Sequence, residues 1–193
     1  MKERLETEIK LRVSHPPALQ RQLRELGFRL ITRRYLERNC LFDFPDRRLQ
    51  KARCLVRLRF EGRQAVLTYK GAPIRSNRYK VRRESETPVN DGCRAREILE
   101  GLGLRETFLY EKYRTVYAPA GREKGSGSSY LAYDETPIGN YLELEGPPRW
   151  IDRVARRLGY SRQDYITRSY LALYFQKCAE LGREPESMVF TAR

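Results

Sequence analysis

Charged and apolar residues alternate along several short segments of the chain, the period-2 pattern of a β-strand with two different faces. Eight strands are predicted, at 5–11, 35–42, 54–60, 64–70, 79–87, 109–118, 130–136 and 140–145. The link 61–63 is short enough to make its two flanking strands a hairpin. The chain is therefore expected to be rich in antiparallel sheet.

Helical patterns lie between and after these strands. One helix is predicted after Pro16-Pro17 and ends at Gly27, a second covers 93–102, a third 149–158 and a fourth 163–181. The Gly/Ser-rich stretch 121–129 predicts a flexible hairpin loop, and the residues after 178 predict a loosely ordered tail. Residues 23–28 resemble 99–104, which indicates either two related halves or a chance match of helix ends.

The charged side chains of each strand share one face, because residues two apart point the same way. One interpretation is an open antiparallel sheet with a solvated face. The other is a closed barrel with the charged face inside. The residues concerned are Glu6, Glu8 and Lys10; Arg57 and Arg59; Lys80, Arg82, Glu84 and Glu86; Lys112 and Arg114; Glu143 and Glu145.

The mixture of charges favours the barrel. A solvated face usually carries many neutral polar residues, whereas these faces are dominated by full charges of both signs. A barrel of about eight strands has room for side chains or one small ligand. Like charges packed inside it would be very costly without a ligand. Lysines and arginines suit a polyphosphate, and carboxylates suit Mg²⁺ that bridges phosphate to protein.

Overall composition sets the class of partner. The chain has 193 residues, enough for one domain with a real core, and its net charge of +14 with a pI near 9.9 favours an anionic partner. A non-catalytic polyanion-binding or RNA-binding barrel is one alternative. The acidic residues on the same faces argue against it, because carboxylates repel phosphate unless a metal intervenes.

Cysteine and histidine usage narrows the chemistry further. The four cysteines form no Cys-x-x-Cys pair, and no signal peptide precedes the chain, so free thiols in a cytoplasmic protein are expected rather than two disulfides. No apolar run approaches a membrane helix, so we expect no membrane contact. His15 is the single histidine, which makes a Ser-His-Asp triad hard to build. Carboxylates would have to hold any metal, which favours Mg²⁺ or Mn²⁺.

Several of these segments resemble, in order, the motifs of one known family. Glu6-Thr7-Glu8-Ile9-Lys10 resembles the ExExK signature of the CYTH, or triphosphate tunnel metalloenzyme, superfamily. The later motifs are Leu55–Arg59, Leu67–Gly71, Arg82–Glu86, Glu111–Arg114, Asp134, Gly139 with Leu142–Gly146, and Ser169-Tyr170. The resemblance covers residues 1–178 as a single CYTH domain, with 179–193 as the tail. It is strongest to bacterial proteins labelled class IV adenylate cyclases.

This resemblance implies an α+β fold, with a closed antiparallel eight-stranded β-barrel and helices packed outside. It also implies roles for the charged residues. Lys10 and Glu84 are expected to act in catalysis. The triphosphate would be held by Lys10, Arg57, Arg59, Lys70, Arg82, Lys112 and Arg114, and the metal by Glu6, Glu8, Asp134, Glu143 and Glu145.

The reaction expected is cleavage of a small-molecule triphosphate. Hydrolysis of inorganic or nucleoside triphosphate is the less demanding reaction for the protein, since the site does not have to position a ribose. Cyclisation of ATP to cyclic AMP and pyrophosphate would use the same phosphate grip, with the ribose 3′-hydroxyl attacking the α-phosphorus instead. Nucleic acid is not the expected substrate, and the protein is expected to be a monomer or a homodimer.

Overall fold

Eight antiparallel strands close into a barrel in the computed structural model, which describes residues 4–62, 64–76, 78–121 and 129–191. The strands are β1 (Arg4–Arg12), β2 (Phe28–Asp43), β3 (Leu55–Glu61), β4 (Gln64–Lys70), β5 (Lys80–Val89), β6 (Arg105–Pro119), β7 (Tyr130–Thr136) and β8 (Gly139–Glu145). Around the barrel they follow the order β1-β5-β4-β3-β2-β6-β7-β8, and β8 pairs with β1 again. The predicted α+β fold with a closed eight-stranded barrel is confirmed.

Five α-helices accompany the strands in the described residues: α1 (Pro16–Glu25), α2 (Arg48–Lys51), α3 (Gly92–Gly101), α4 (Pro148–Arg157) and α5 (Tyr170–Glu180). A 3₁₀ turn covers Arg162–Asp164. Both α1 and α3 end before a glycine with positive φ, Gly27 (80°) and Gly103 (90°), a backbone state that costs glycine little. Each helix is then followed by a long strand, and these two strands, β2 and β6, pair with each other.

The apolar face of the sheet lies outside the barrel, where helices cover it. Helices α1 and α4 pack on β1, β7 and β8 around Ile9, Leu142 and Trp150. Helix α3 packs on β2, β3 and β4 around Leu58 and Leu99. Because the apolar face packs against the helices, the opposite, charged face points into the barrel, as the period-2 pattern predicted.

Helix α5 is placed differently, because it sits at one rim of the barrel. Tyr170 and Leu173 pack there against Tyr110 and Tyr141. The predicted helix over 163–181 is therefore too long at its start. Ile166 exchanges two 2.9 Å backbone hydrogen bonds with Lys10 of β1, and the helix begins only after Ser169, whose side chain accepts a hydrogen bond from the Ala172 amide.

Other boundaries also differ from the prediction. Strand β2 begins at Phe28 rather than residue 35, because the long strand β6 pairs with this arginine-rich segment from Phe28 onward. Helix α2 was not predicted; the Asp43 carboxylate holds it by accepting hydrogen bonds from the Leu49 and Gln50 amides. In the predicted loop 121–129, residues 122–128 lie outside the described part of the chain, and the flanking strands β6 and β7 pair as a hairpin would.

The segment after α5 also differs from the expected loose tail, as far as residue 191. Met188 is buried, its amide donates to the Leu109 carbonyl at 2.9 Å, and its carbonyl accepts from the Glu111 amide at 2.8 Å. Met188 pairs with Tyr110 of β6, ahead of Tyr113, which is the first residue of β6 to pair with β7. We call residues 183–190 the C-terminal strap. It fills the edge of β6 that β7 leaves uncovered.

Candidate active site

The inward faces of the strands surround a cavity of about 790 Å³. The lining includes every residue predicted from the sequence as a site residue except Asp134: Glu6, Glu8, Lys10, Arg57, Arg59, Lys70, Arg82, Glu84, Lys112, Arg114, Glu143 and Glu145. Their common orientation follows from parity, since β1, β3, β5, β6 and β8 each contribute residues two apart, and β4 adds Lys70. The structure therefore brings together twelve side chains that are spread over most of the sequence.

The first ion-pair cluster centres on the carboxylates of β1. Lys70 Nζ donates to both carboxylate oxygens of Glu6, at 2.9 and 2.8 Å. Glu8 Oε1 accepts from Lys80 Nζ at 2.5 Å and from Lys10 Nζ at 3.1 Å. Lys10 also pairs with Glu143 at 3.0 Å. Neighbouring strands thus present alternating charges, as a buried network requires.

The second cluster surrounds Asp134, whose carboxylate is fully buried and does not line the cavity. Its carboxylate accepts from Lys112 at 3.0 Å, from Arg114 at 2.7 and 2.6 Å, and from the Tyr170 hydroxyl at 2.7 Å. Glu37, fully buried, pairs with Lys112 at 3.3 Å and with Arg114 at 3.6 Å. Arg114 also donates to Glu143. These contacts favour Asp134 as an anchor for two cations over the metal ligand expected from the resemblance.

The third cluster holds the two arginines of β3. Arg57 lies 3.8 Å from Glu84 and 3.7 Å from Glu86, and it donates to the Thr68 hydroxyl at 3.3 Å. Arg59 pairs with Glu61 at 2.7 Å. The longer distances at Arg57 leave its guanidinium less tightly held than that of Arg114.

Arg82 stands apart from these clusters. It lines the cavity, its Nε is buried without a hydrogen-bond partner, and it makes no ion pair within 4 Å among the residues that the structure describes. Burial accordingly lowers the pKa of Arg82. A buried guanidinium nitrogen without a partner is costly, so this position favours an anionic ligand in the cavity.

Electrostatics differ sharply between the two carboxylates of β1. Burial, together with Glu8, raises the pKa of Glu6 to about 7 despite the opposing charge of Lys70. Burial would also raise the pKa of Glu8, but Lys10 and Lys80 outweigh it and hold that pKa well below its ordinary value. Glu6 is thus a carboxylate whose negative charge is only partly compensated by the protein.

The donor set fits a hard divalent cation. Glu8 lies directly opposite Glu145 in the β1–β8 register, Glu143 is two residues further along β8, and all three face the cavity. Carboxylate oxygens are the ligands that Mg²⁺ and Mn²⁺ prefer. Within the described residues no three acidic, Cys or His side chains are already clustered as a metal site. Binding would therefore require Glu8 and Glu143 to turn away from Lys10, and Glu145 from Tyr130.

Several residues of the site were not predicted as site residues. The alternation placed Lys80 and Glu86 on the charged face with Arg82 and Glu84, but the sequence analysis gave them no role; both line the cavity. Glu37 lies within a predicted strand, but Asn39 and the other residues on the same face are uncharged. The pattern therefore did not indicate a charged face there. Tyr130 donates a hydrogen bond to Glu145, and Tyr170 reaches Asp134 from a helix. Strand periodicity cannot reveal a contact supplied by a helix.

A closed antiparallel barrel whose lumen carries paired lysines, arginines and carboxylates defines the triphosphate-tunnel class of proteins. The sequence matches the CYTH domain family over residues 4–170, and the chain belongs to that family. CYTH proteins process triphosphates, generally with divalent metal ions.

Individual relatives agree with this membership. The chain is 28% identical over 179 residues, covering 88% of this chain and 98% of the other, to a Methanocaldococcus jannaschii protein named "Putative adenylate cyclase MJ0240". In fold it is similar to a Vibrio parahaemolyticus structure described as a "putative adenylate cyclase", with a TM-score of 0.74, 19% identity and coverage of 88% and 97%. It is also similar to HpAC1 from Hippeastrum, a "putative adenylyl cyclase" with "a dominant" triphosphatase activity. The TM-score there is 0.65, with 20% identity and coverage of 93% and 97%.

No helix in the described part of the chain is both long and apolar enough to cross a membrane.

Proposed function

We propose that this protein is a metal-dependent enzyme that binds a triphosphate inside the barrel and hydrolyses it. The observation that carries the proposal is the convergence of seven cations and five carboxylates from six strands on one cavity. Cations alone would suffice for binding phosphate. The carboxylates among them are useful only if a metal ion joins them to the phosphate oxygens.

The cations would form the phosphate grip. Arg82 is available without breaking an ion pair in the described residues, and Arg57 is held only by longer contacts. Arg59 of β3, Lys70 of β4, and Lys112 and Arg114 of β6 complete the set. Charge that is fixed before the substrate arrives stabilises the negative charge that develops on the transferred phosphoryl group.

Lys10 has the most central position in this grip. Its ammonium group is held by Glu8 at 3.1 Å and Glu143 at 3.0 Å, which occupies two of its three donors. The third is free to donate to a phosphate oxygen. We therefore assign Lys10 a catalytic role as a fixed cation beside the reacting phosphorus.

Glu84 is the second residue to which we assign a catalytic role. It faces the cavity between Lys70 at 3.3 Å and Arg57 at 3.8 Å. A carboxylate placed there can accept a hydrogen bond from the attacking water and orient it towards the phosphorus.

Glu6, Glu8, Glu143 and Glu145 would hold Mg²⁺ or Mn²⁺, with Asp134 holding Lys112 and Arg114 in place. When bound, such an ion neutralises phosphate charge and lowers the pKa of a coordinated water. The protein's own part is to direct these carboxylates into the cavity. Against the opposing effect of burial, Lys10 keeps Glu8 and Glu143 ionised by lowering the pKa of both.

Cyclisation of ATP is the second candidate, and the name of the Methanocaldococcus jannaschii relative supports it. The activity described for HpAC1 supports hydrolysis. Both reactions would use the same phosphate grip and differ in which phosphorus meets the nucleophile.

One assay separates the candidates. Purified protein is incubated with Mg²⁺ or Mn²⁺ and with either inorganic triphosphate or ATP, and the products are resolved. Orthophosphate supports hydrolysis, whereas cyclic AMP with pyrophosphate supports cyclisation. Lys10→Ala should abolish either product, and Lys177→Ala, at an exposed lysine on α5, should leave both unchanged. Turnover of neither substrate with either metal would defeat the proposal.

We further propose a cytoplasmic monomer or homodimer that acts on small-molecule triphosphates. The four cysteines are free thiols, as expected in a reducing compartment. Nucleic acid is not proposed as the substrate, because the carboxylates of the cavity would repel a phosphodiester backbone.

A further inference from the structure

The α-helices of this chain end in the same way, with one exception in residue type. In the described residues, a residue with positive φ follows the C-cap of each of the five helices. In four helices it is the glycine that this backbone state favours: Gly27, Gly103, Gly159 and Gly182. After α2 it is Arg53, with a φ of 59°. A side chain at this position strains the backbone, so its presence calls for a benefit elsewhere.

The backbone hydrogen bonds around Arg53 are those of an ordinary helix end. The Arg53 amide donates to the Gln50 carbonyl at 2.9 Å, and the Cys54 amide donates to the Leu49 carbonyl at 2.8 Å. These are the two bonds of a Schellman motif, which fix the positive φ. Arg47, with a φ of 58°, is the other non-glycine residue with positive φ in the described structure. Both strained arginines thus flank the same short helix.

Both arginine side chains lie where the cavity meets solvent. Arg47 and Arg53 line the cavity and are exposed. Neither makes an ion pair in the part of the chain that the structure describes. Burial lowers the pKa of Arg82 inside the cavity, and the Arg53 guanidinium lowers it further, although Glu8 and Glu6 oppose both effects. Arg53 is therefore close enough to Arg82 for their charges to act on each other.

The interior of the cavity attracts anions only weakly from a distance. Apart from Arg82, its lysines and arginines are paired with carboxylates in the three clusters, so that their charges largely cancel. Uncompensated charge at a cleft, by contrast, draws in ligands of the opposite sign and speeds their association. Arg47 and Arg53 supply such charge at the entrance.

We propose that Arg47 and Arg53 are capture residues, which attract the triphosphate anion to the entrance of the cavity and deliver it to Arg82. The inference rests on the proposed function. It explains why an arginine occupies the one helix end at which glycine would be less strained. The two residues act before the chemical step, so neither is a catalytic residue.

The test measures kcat and kcat/KM for the triphosphate that the wild type turns over, together with thermal unfolding. Arg53→Gly should lower kcat/KM about 3- to 10-fold at an ionic strength of about 10 mM, and less than about twofold near 1 M, where screening is strong. Because capture precedes the chemistry, kcat should stay within about twofold. The same variant should raise the melting temperature by about 2–4 °C, because glycine relieves the backbone.

Three further variants serve as controls. Arg53→Lys keeps the charge and should keep kcat/KM within about twofold of the wild type, since attraction at a distance depends on charge and not on the guanidinium fork. Arg47→Gly should reproduce the salt-dependent loss of Arg53→Gly. Arg21→Ala removes an exposed arginine of α1 that does not line the cavity, and it should change kcat/KM less than about twofold.

The outcomes separate this inference from the function on which it rests. If Arg53→Gly leaves kcat/KM unchanged at low salt, or if Arg21→Ala lowers it as much, capture is wrong and the function stands. A loss in Arg53→Lys equal to that in Arg53→Gly also overturns capture.

If the wild type processes neither inorganic triphosphate nor ATP, the proposed function fails, and calorimetric titration with inorganic triphosphate and Mg²⁺ decides the inference. Weaker binding to Arg53→Gly at low salt alone supports capture. Equal binding to the two proteins, or binding to neither, overturns it.

Discussion

Glu8 and Glu37 are both buried carboxylates held by lysine and arginine partners, but only Glu8 lines the cavity. Glu37 is fully buried and pairs with Lys112 and Arg114. Loss of a carboxylate that holds metal should change the metal requirement, whereas loss of one that positions cations should change stability. Because both residues are buried, burial alone cannot explain a difference between the two variants.

We expect Glu8→Gln to raise the metal concentration needed for half-maximal activity by at least about tenfold, because an amide is a weaker ligand for a hard cation than a carboxylate. Glu37→Gln should leave that concentration unchanged and lower the melting temperature, since it weakens a buried pair. Metal-titrated activity and thermal unfolding of both variants check this. An equal shift in metal requirement for the two variants would contradict the role assigned to Glu8.

Arg82 and Arg114 make a second comparison at this scale. Arg82→Ala should raise KM for the triphosphate about tenfold with no loss of stability, because Arg82 makes no ion pair in the described structure. Arg114→Ala should destabilise the fold by about 3–5 kcal/mol, because it leaves Asp134 and Glu37 buried without that partner.

Steady-state kinetics at saturating metal and denaturant unfolding of the two variants separate these effects. A loss of stability in Arg82→Ala as large as that in Arg114→Ala would show that Arg82 is a structural residue rather than a phosphate ligand.

At the scale of elements, the sequence predicts best where one strand has two chemically different faces. Strands β1, β3, β4, β5, β7 and β8 were predicted within two residues of their observed bounds. In β1, β3 and β8 an apolar outer face and a charged inner face enforce the alternation. The alternation identified thirteen of the residues that line the cavity, and the family resemblance added Lys70.

The errors have a common physical cause, which is that distant partners decide the structure. The first half of β2 is mostly exposed and has no clean alternation, and it is a strand because β6 pairs with it. Residues 165–169 follow a helical pattern, but Ile166 pairs with β1 instead. Tyr170 reaches Asp134 only once α5 is docked at the rim. No local pattern encodes these contacts.

The C-terminal strap is the element whose contribution is most directly testable. Met188→Ala removes a buried side chain and should weaken strap docking by about 2 kcal/mol or more. The amide of Glu111, which donates to the Met188 carbonyl, should then exchange with solvent at least tenfold faster. Met188→Leu, which conserves volume, should exchange nearly as slowly as the wild type.

Hydrogen exchange followed by mass spectrometry over residues 109–111 checks this, with the amides of β3 as an internal reference. Unchanged protection at Glu111 in Met188→Ala would show that the strap is held by its other contacts, such as the Phe190 ring on Tyr113.

Across the whole molecule, the lumen is close to neutral although the chain carries +14. The ion-pair clusters and Arg82 bring together eight cations and nine carboxylates: Lys10, Arg57, Arg59, Lys70, Lys80, Arg82, Lys112 and Arg114 with Glu6, Glu8, Glu37, Glu61, Glu84, Glu86, Asp134, Glu143 and Glu145. The excess positive charge is therefore on the exterior. A balanced lumen explains how a barrel filled with charge can be stable before any ligand binds.

This balance predicts that metal and triphosphate stabilise the protein only together. Triphosphate alone adds negative charge beside Glu6 and Glu8, and metal alone adds positive charge beside Lys10 and Arg82, so each opposes groups already fixed in the lumen. Added together, their charges largely cancel. At 100 times its dissociation constant the complex should stabilise the fold by about 2.7 kcal/mol. For a chain of this length that raises the melting temperature by roughly 5–10 °C.

Thermal unfolding with Mg²⁺, with triphosphate and with both, measured at low protein concentration, checks the expectation. Glu8→Gln should reduce the joint shift by weakening the metal contribution, and Arg82→Ala should reduce it by weakening the phosphate contribution. A full shift with triphosphate alone would mean that the carboxylates of the lumen serve the folded structure and not a metal ion.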